Sequence, residues 1–370
     1  MPKRTVGVEE ELLLVNPADG VPAAVGEQVV AEAGARRGER GADPEQPPIE
    51  HEFKAEQAEI GSRPTTSADE LANDLRRLRH ELASVAAANG VQLAAAATSP
   101  RKVRPTPTPD RRYRDMIDEF GLLARQQLTC GQHVHVSIES RGEGVAVLDR
   151  IAPWLPLITA ISSNSPYWQG QDSGYQSYRT VVWALWPTAG PTAGFGDERG
   201  YDAAIADLLS SGAAMDDGMI YFDARLSAHY PTVEIRVADV CTDVDDAVLV
   251  AVLCRALVDT ASADWRSGAP APAYRPELLR AAAWRSARHG LRDELFDPLT
   301  RRVAPAFDVL RTLAEFVGPA LEANGDSALV AGGLDRLRQR GTGADQQRRA
   351  HSARGDLHDV VLDVVRRTLG

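Results

Sequence analysis

The sequence predicts an α+β fold: a largely antiparallel sheet flanked by helices. Strand-like segments at 5–15, 127–138 and 232–240 lie far apart in the chain, and the helices and loops between them show no regular strand–helix–strand alternation. In each segment aliphatic residues alternate with carboxylate, imidazole or guanidinium side chains, as on a sheet with one buried and one polar face. After Asp243 the pattern is helical.

The elements follow in order. Residues 5–15 read as a strand closed by the turn Asn16-Pro17-Ala18-Asp19-Gly20. Residues 21–48, rich in Gly, Pro, Ala and charge, read mostly as loop with at most a short helix, and 49–60 as an extended segment. Ser67 and Glu70 form a capping box, Gly90 marks the stop, and Leu71, Leu75, Leu78, Leu82 and Val85 make one apolar helix stripe between them. A short buried strand at 91–97 and an exposed proline-rich loop at 98–110 precede a helix at 111–125. A helix at 145–163 should kink or split at Pro153 and Pro156. Residues 165–200 read as a long Gly- and aromatic-rich loop suited to a lid over a small polar substrate. A short helix at 201–210 and strands at 219–225 and 232–240 follow. Helices are expected at 243–261, 276–288, 298–321 and 356–369. With no convincing linker, 1–370 is expected to be a single domain.

Composition excludes several functions. The 52 Asp and Glu against 41 Lys and Arg give a net charge of −11, so nucleic acid is not an expected partner. Three cysteines are too few and odd for a disulfide framework, which favours a reduced, cytoplasmic setting. The N-terminal residues have no apolar run, so no signal peptide and no membrane association are expected. The helices after Asp243 offer apolar faces on which a homodimer could form.

Four clusters carry chemistry. Glu9 and Glu11 share a strand face with Thr5 and Gly7, away from Val6, Val8 and Leu12; two such carboxylates repel unless a cation lies between them. Glu50, Glu52, Glu56 and Glu59 follow, where a bend or bulge would be needed to bring Glu52 and Glu59 together. In 131–138, His133, His135 and Ser137 oppose Val134, Val136 and Ile138. In 232–239, Glu234 and Arg236 oppose Val233, Ile235 and Val237. Each cluster alone is more ordinarily a solvated face or a salt bridge. Together, Glu9, Glu11, Glu52, Glu59, Glu234 and His133 supply many oxygens and no sulfur, a set for Mg²⁺ or Mn²⁺ rather than zinc. With an arginine able to grip oxyanions, they suit nucleotide phosphates such as those of ATP.

These residues sit in motifs that resemble the glutamate–cysteine ligase type 2 (carboxylate–amine ligase) family: TVGVEEELLLVNP at 5–17, GQHVHVSI at 131–138, SPYWQGQDSGYQSYRT at 165–180, WPTAGPT at 186–192, PTVEIRVADVCTD at 231–243 and AAAWRSARHGL at 281–291. The resemblance implies a glutamine synthetase-like fold whose sheet floors the active site. It also implies an ATP- and Mg²⁺-dependent reaction in which the glutamate γ-carboxylate becomes an acyl phosphate and is attacked by cysteine or another amine. By motif, Glu9 and Glu11 are similar to a first pair of metal ligands and Glu52 and Glu59 to a second, with Glu56 as the alternative to Glu59. His133 and Glu234 resemble ligands of the ATP-side ion, and Arg236 the phosphate-stabilising arginine. His135 joins Arg236 among the expected catalytic residues, and Arg179 and Arg225 are expected to hold substrate carboxylates. Two other readings remain: a zinc hydrolase built on His133 and His135 with a third ligand from His229 or His289, and a silent glutamate or nucleotide sensor.

Overall fold

The computed structural model describes residues 3–40 and 46–370; the expected 21–48 loop falls partly outside them, at 41–45. The long strand β1 (Val6–Val15) lies near the middle of the main sheet. It pairs on one side with β3 (Gln57–Gly61), and β3 pairs with β2 (Glu50–His51). On the other side, the first half of β1 pairs with β5 (Gly131–Ser137), and its last residues pair with β4 (Gln92–Ala94). Next to β5 lies β9 (Thr232–Asp239), edged by β8 (Ala224–Leu226). Every pairing is antiparallel, as the sequence predicts.

Alternation divides this sheet into two faces. Val6 and Val8 stand opposite Val136 and Val134, and those stand opposite Val233 and Ile235; all six are buried in one cluster. Helices α2 (Ala68–Ala88), α5 (Arg141–Ile151), α6 (Leu155–Ser162) and α9 (Val244–Arg266) complete the core on this side. Helix α9 is apolar almost all round because it is enclosed, by the sheet on one side and by α12 (Gly318–Asn324) and α13 (Ser327–Arg340) on another. The break between α5 and α6 is one 3₁₀ turn containing Pro153, as the two prolines predict. The 22-residue run Arg141–Ser162 is long and apolar enough to cross a membrane by composition, but it is 83% buried against the sheet and α9.

The stripe of α2 is buried as expected, and Ser67 accepts from the Glu70 N–H at 3.3 Å. The reciprocal half of the capping box is replaced: the Ser67 N–H donates to Thr65 Oγ1, and Thr65 donates to Glu70. Several expectations are corrected. Residues 26–40, read as loop, form α1 (Gly26–Arg40), whose Val29 and Ala33 are buried. Residues 111–125 divide at Gly121 into α3 (Arg111–Phe120) and α4 (Leu122–Gln126). The stretch 165–200 is no open loop. It holds the hairpin β6 (Tyr167–Trp168)–β7 (Gln171–Asp172), the helix α7 (Tyr178–Trp183) and the start of α8 (Glu198–Ser210). The strand expected at 219–225 shrinks to β8, after a 3₁₀ turn at Asp217–Met219. After α10 (Pro276–His289), the helix expected at 298–321 is the hairpin β10 (Glu294–Asp297)–β11 (Arg302–Pro305) followed by α11 (Ala306–Phe316) and α12. Helices α13 and α14 (Gly343–Arg354) were not anticipated; α15 (Leu357–Thr368) was.

One buried ion pair ties these layers together. Glu10 points to the helical side of β1 and is fully buried against Arg79 of α2, with N–O distances of 2.6 and 2.8 Å. Arg79 also donates to the carbonyls of Cys241, Thr242 and Thr368, so it joins β1, the start of α9 and the end of α15. Removing one partner would strand the other charge in a medium that cannot solvate it, at a cost of about 3–5 kcal/mol. Arg79→Met should therefore lower the unfolding free energy measured by urea titration by that order; a loss below ~1 kcal/mol would show that the pair does not hold the layers.

Candidate active site

The polar face of the sheet assembles the expected residues by register, because directly opposed residues in antiparallel strands share a face. Glu11 lies opposite Glu59. Glu9 lies opposite His133, and Gly7 opposite His135. His135 lies opposite Glu234, and Glu234 opposite Arg225. One row of groups thus crosses β3, β1, β5, β9 and β8. An extra residue in β9 breaks the register between Gln132 and Val134 and forms a bulge at Arg236 and Val237. It keeps both Ile235 and Ala238 on the buried side. The cost is Val237, expected in the core but only partly buried.

The choice between Glu56 and Glu59 is resolved by a bend. After β2 the chain turns at 52–56 before β3 begins. Glu56 falls in that turn, where its carboxylate accepts from the Thr106 N–H at 2.9 and 3.1 Å and faces away from the row. Glu52 and Glu59 come together beside Glu11.

His133 is the centre. Its Nδ1 lies 3.4 Å from Glu9 and 4.0 Å from Glu234, and its Nε2 lies 3.8 Å from Glu11. Two groups of donor atoms, each within 4.8 Å of one another, meet there: Glu9, His133 and Glu234, and Glu11, Glu59 and His133. The buried His133 Nε2 has no hydrogen-bond partner among the described residues. An orphaned imidazole nitrogen ringed by carboxylates fits a hard divalent cation better than a proton. Neither group contains the second imidazole that the zinc reading requires. His135 turns Nδ1 to Thr232 Oγ1 at 3.0 Å and Nε2 toward Glu9 at 3.2 Å. His229 is exposed at the cavity rim, and His289 sits beside Asp293 outside the cavity lining.

Electrostatics separate the carboxylates into two kinds. Burial would raise Glu9, but hydrogen bonds from His133 and His135 hold it well below the ordinary range. Burial likewise opposes ionisation of Glu234, and the charges of Arg236 and Arg225 outweigh it. Arg225 Nε donates to Glu234 at 2.6 Å, and Arg236 donates to its other oxygen. For Glu52 the balance is reversed: burial and the charge of Glu11 outweigh the hydrogen bonds and the charge of Arg236, and push it up to about 7. Burial, Glu52 and Glu9 raise Glu59 further. Burial and Arg236 depress His133, whereas Glu9 overcomes the effect of burial to raise His135.

The row floors a cavity of about 960 Å³, large enough for a nucleotide and a second small substrate. Trp183, Trp186 and Tyr221 wall one side and Tyr113 and Lys54 another. The buried Lys54 ammonium donates to the Ala124 carbonyl, and burial lowers it to about 8. Of these wall residues, Trp186 opens the 186–192 motif and Trp183 lies in the aromatic-rich 165–200 stretch, whereas the motifs gave no signal for Tyr113, Lys54 and Tyr221. Arg225 opens on this cavity; Arg179 does not line it. Arg179 is 2% exposed, packed behind Gly131, where any Cβ would collide with its guanidinium. Asp239 fixes its segment by accepting from the Asn164 N–H, Ser165 Oγ and Ser177 Oγ at 2.7–2.8 Å, and Ser165 Oγ accepts from the Arg179 N–H.

Solved structures share this architecture of an antiparallel sheet with a polar face, backed by helices. A bifunctional glutathione synthetase from Pasteurella multocida matches with a TM-score of 0.68 at 14% identity, over 99% of this chain and 52% of that one. A glutamate–cysteine ligase from Francisella tularensis, solved with AMP, matches at 0.67 and 12%, over 99% and 88%. At these identities the likeness concerns fold. The pattern of glutamate–cysteine ligase family 2 matches residues 5–363. Curated relatives described as candidate glutamate–cysteine ligases 2 include one from Frankia alni, 53% identical over 99% of this chain and 97% of its own length. Another, from Streptomyces coelicolor, is 48% identical over 99% of each chain. The chain belongs to glutamate–cysteine ligase family 2, a family of ligases.

A carboxyl raised in the folded state stabilises the fold while protonated and loses that contribution as pH climbs from its unfolded value, near 4.5, through its folded one. For Glu52 that window runs to about 7. In EDTA, the thermal midpoint should fall between pH 5 and pH 8 more steeply for the wild type than for Glu52→Gln, and Mg²⁺ should reduce the difference. Equal slopes in EDTA would remove Glu52 from the crowded set.

Proposed function

We propose that this chain is an ATP-dependent carboxylate–amine ligase that joins the γ-carboxylate of glutamate to an amine, cysteine being the acceptor named for the family. The observation that carries the reading is the pair of carboxylate–His133 groups beside Arg236 and Arg225, on the floor of a cavity of nucleotide size. Glu9, His133 and Glu234 would hold one Mg²⁺ or Mn²⁺, His133 through its single unprotonated nitrogen, and the carboxylates of Glu11, Glu52 and Glu59 would hold another. Such ions neutralise phosphate charge and hold the reacting oxygens in line.

The protein's own side chains do the rest by positioning. Arg236, anchored through Glu234, presents a fixed positive charge to the transferring phosphoryl group. Its Nε has no hydrogen-bond partner among the described residues and is free to meet an anion. Arg225 is held by Glu234 and by the Ile220 carbonyl, at the side where the nucleotide would lie. His135, kept in place by Thr232 and Glu9, orients Glu9 rather than reaching the reacting atoms. The glutamate γ-carboxylate oxygen takes the γ-phosphoryl group of ATP. The amine then forms the C–N bond as the C–O bond to phosphate breaks, and phosphate departs with that electron pair. The walls of Trp183, Trp186 and Tyr221 keep water from the activated carboxyl.

With MgATP and glutamate present, ADP release should depend on an added amine and yield the corresponding γ-glutamyl amide by mass spectrometry. Glu234→Gln should cut turnover by at least 10²-fold while the circular dichroism spectrum is retained; turnover within threefold of wild type would sink the assignment of Glu234. Nucleotide binding without ADP formation, across a broad amine panel, would instead support a sensor.

A further inference from the structure

A second cavity, of about 510 Å³, adjoins the first, and the two share Trp183 and Arg236. Its walls are mainly apolar, with Val181, Pro191, Phe222 and the half-exposed Trp284 among them. Val237, turned out of the core by the β9 bulge, also lines it. Five charged groups line this mainly apolar space: Arg236, shared with the first cavity, Arg179 and Asp223 beside it, and Glu277 and Arg280 from α10.

Among the described residues, two of these groups are incompletely satisfied. Arg179 is 2% exposed, and its Nε has no hydrogen-bond partner among the described residues. Its Nη atoms make only long contacts, 3.2 and 3.5 Å, with the carbonyls of Arg236 and Val237. Burial pushes the Asp223 carboxyl up to about 7, with Arg179 and Arg280 acting in the opposite direction. A buried guanidinium nitrogen and a half-buried carboxyl facing one mainly apolar cavity are costly unless a ligand satisfies them. Asp223 is also the immediate neighbour of Arg236: its carbonyl accepts the Arg236 N–H at 2.9 Å, so the two residues are opposed across β8 and β9.

We propose that this second cavity is the acceptor site, and that it takes an amino acid with an apolar side chain larger than that of cysteine. The inference rests on the ligase reading above and specifies its second substrate. Asp223 holds the acceptor's ammonium group next to Arg236, Arg179 and Arg280 hold its carboxylate, and the walls around Phe222 and Trp284 take its side chain. The acceptor ammonium passes one proton to Asp223 before its lone pair attacks the γ-glutamyl carbon. A cavity of this volume would be poorly filled by a CH₂–SH group, whereas each added methylene buries further apolar surface against its walls.

The experiment has two arms. In the first, ADP release is measured with cysteine, valine, leucine and phenylalanine as acceptors, in the wild type, Asp223→Asn and Ala283→Trp; Ala283 lines the cavity on α10, and tryptophan there fills it. Leucine or phenylalanine should exceed cysteine at least tenfold in kcat/KM. Ala283→Trp should raise the acceptor KM at least tenfold with the KM for ATP changed less than twofold. Asp223→Asn should lower kcat and flatten its rise between pH 6 and 8. Cysteine as the preferred acceptor, or an acceptor KM indifferent to Ala283→Trp, would overturn the proposal. In the second arm, calorimetry measures leucine and phenylalanine binding to the folded wild type and to Ala283→Trp without nucleotide. Binding lost in the variant supports the site even if no ligase activity is found, and no binding to the wild type in either arm rejects it.

Discussion

Five carboxylates crowd one face of one sheet, and the rest of the molecule is arranged around that constraint. Glu9, Glu11, Glu52, Glu59 and Glu234 would not all ionise together in so dry a place without compensating charge. Two of them have internal compensation: the histidines hold Glu9, and Arg225 and Arg236 hold Glu234. For Glu52 the compensation is too weak to offset burial and Glu11, and Glu59 is raised by burial and by its carboxylate neighbours, so both are driven toward the protonated state. The asymmetry matters chemically. The side bearing arginines is already neutralised and suits an anionic phosphate chain; the other side needs a cation.

Holding such a face requires a rigid back. The opposite side of β1 supplies it with valines against α9 and with the Glu10–Arg79 pair, which joins three helical layers to the strand that carries Glu9 and Glu11. Adjacent residues of one tripeptide therefore do opposite work. Glu10 is neutralised within the fold and stabilises it, while Glu9 and Glu11 are left for a ligand.

Much of this was legible in the sequence, for a physical reason. A half-buried strand writes its two faces in alternate positions, so Glu9 with Glu11, His133 with His135, and Glu234 with Arg236 could be paired before any coordinates. Helix α2 was legible from its cap and leucine stripe. Three things were not. The turn at 52–56 decides that Glu59 and not Glu56 joins the site, and it depends on the Glu56–Thr106 contact, between residues fifty positions apart. The bulge in β9 reflects a register with β5 that no local pattern encodes. Helices α1 and α13 are broken up by glycines and charges that dilute their apolar stripes, so tertiary packing, not periodicity, makes them helical. Arg179 was expected among the substrate-binding residues, and only the fold shows that it lines the second cavity and not the first.

The central claim is that His133 and the carboxylate row hold two cations, one toward Glu9 and Glu234 and one toward Glu11 and Glu59. The most direct measurement is a crystal structure of the protein grown with Mn²⁺ and a non-hydrolysable ATP analogue, with anomalous difference maps recorded at the manganese edge. The account predicts two peaks on this face, one at Glu9, His133 and Glu234 and one among Glu11, Glu52 and Glu59. A single peak held by His133 and His135, or no peak on this face with nucleotide bound, would contradict it.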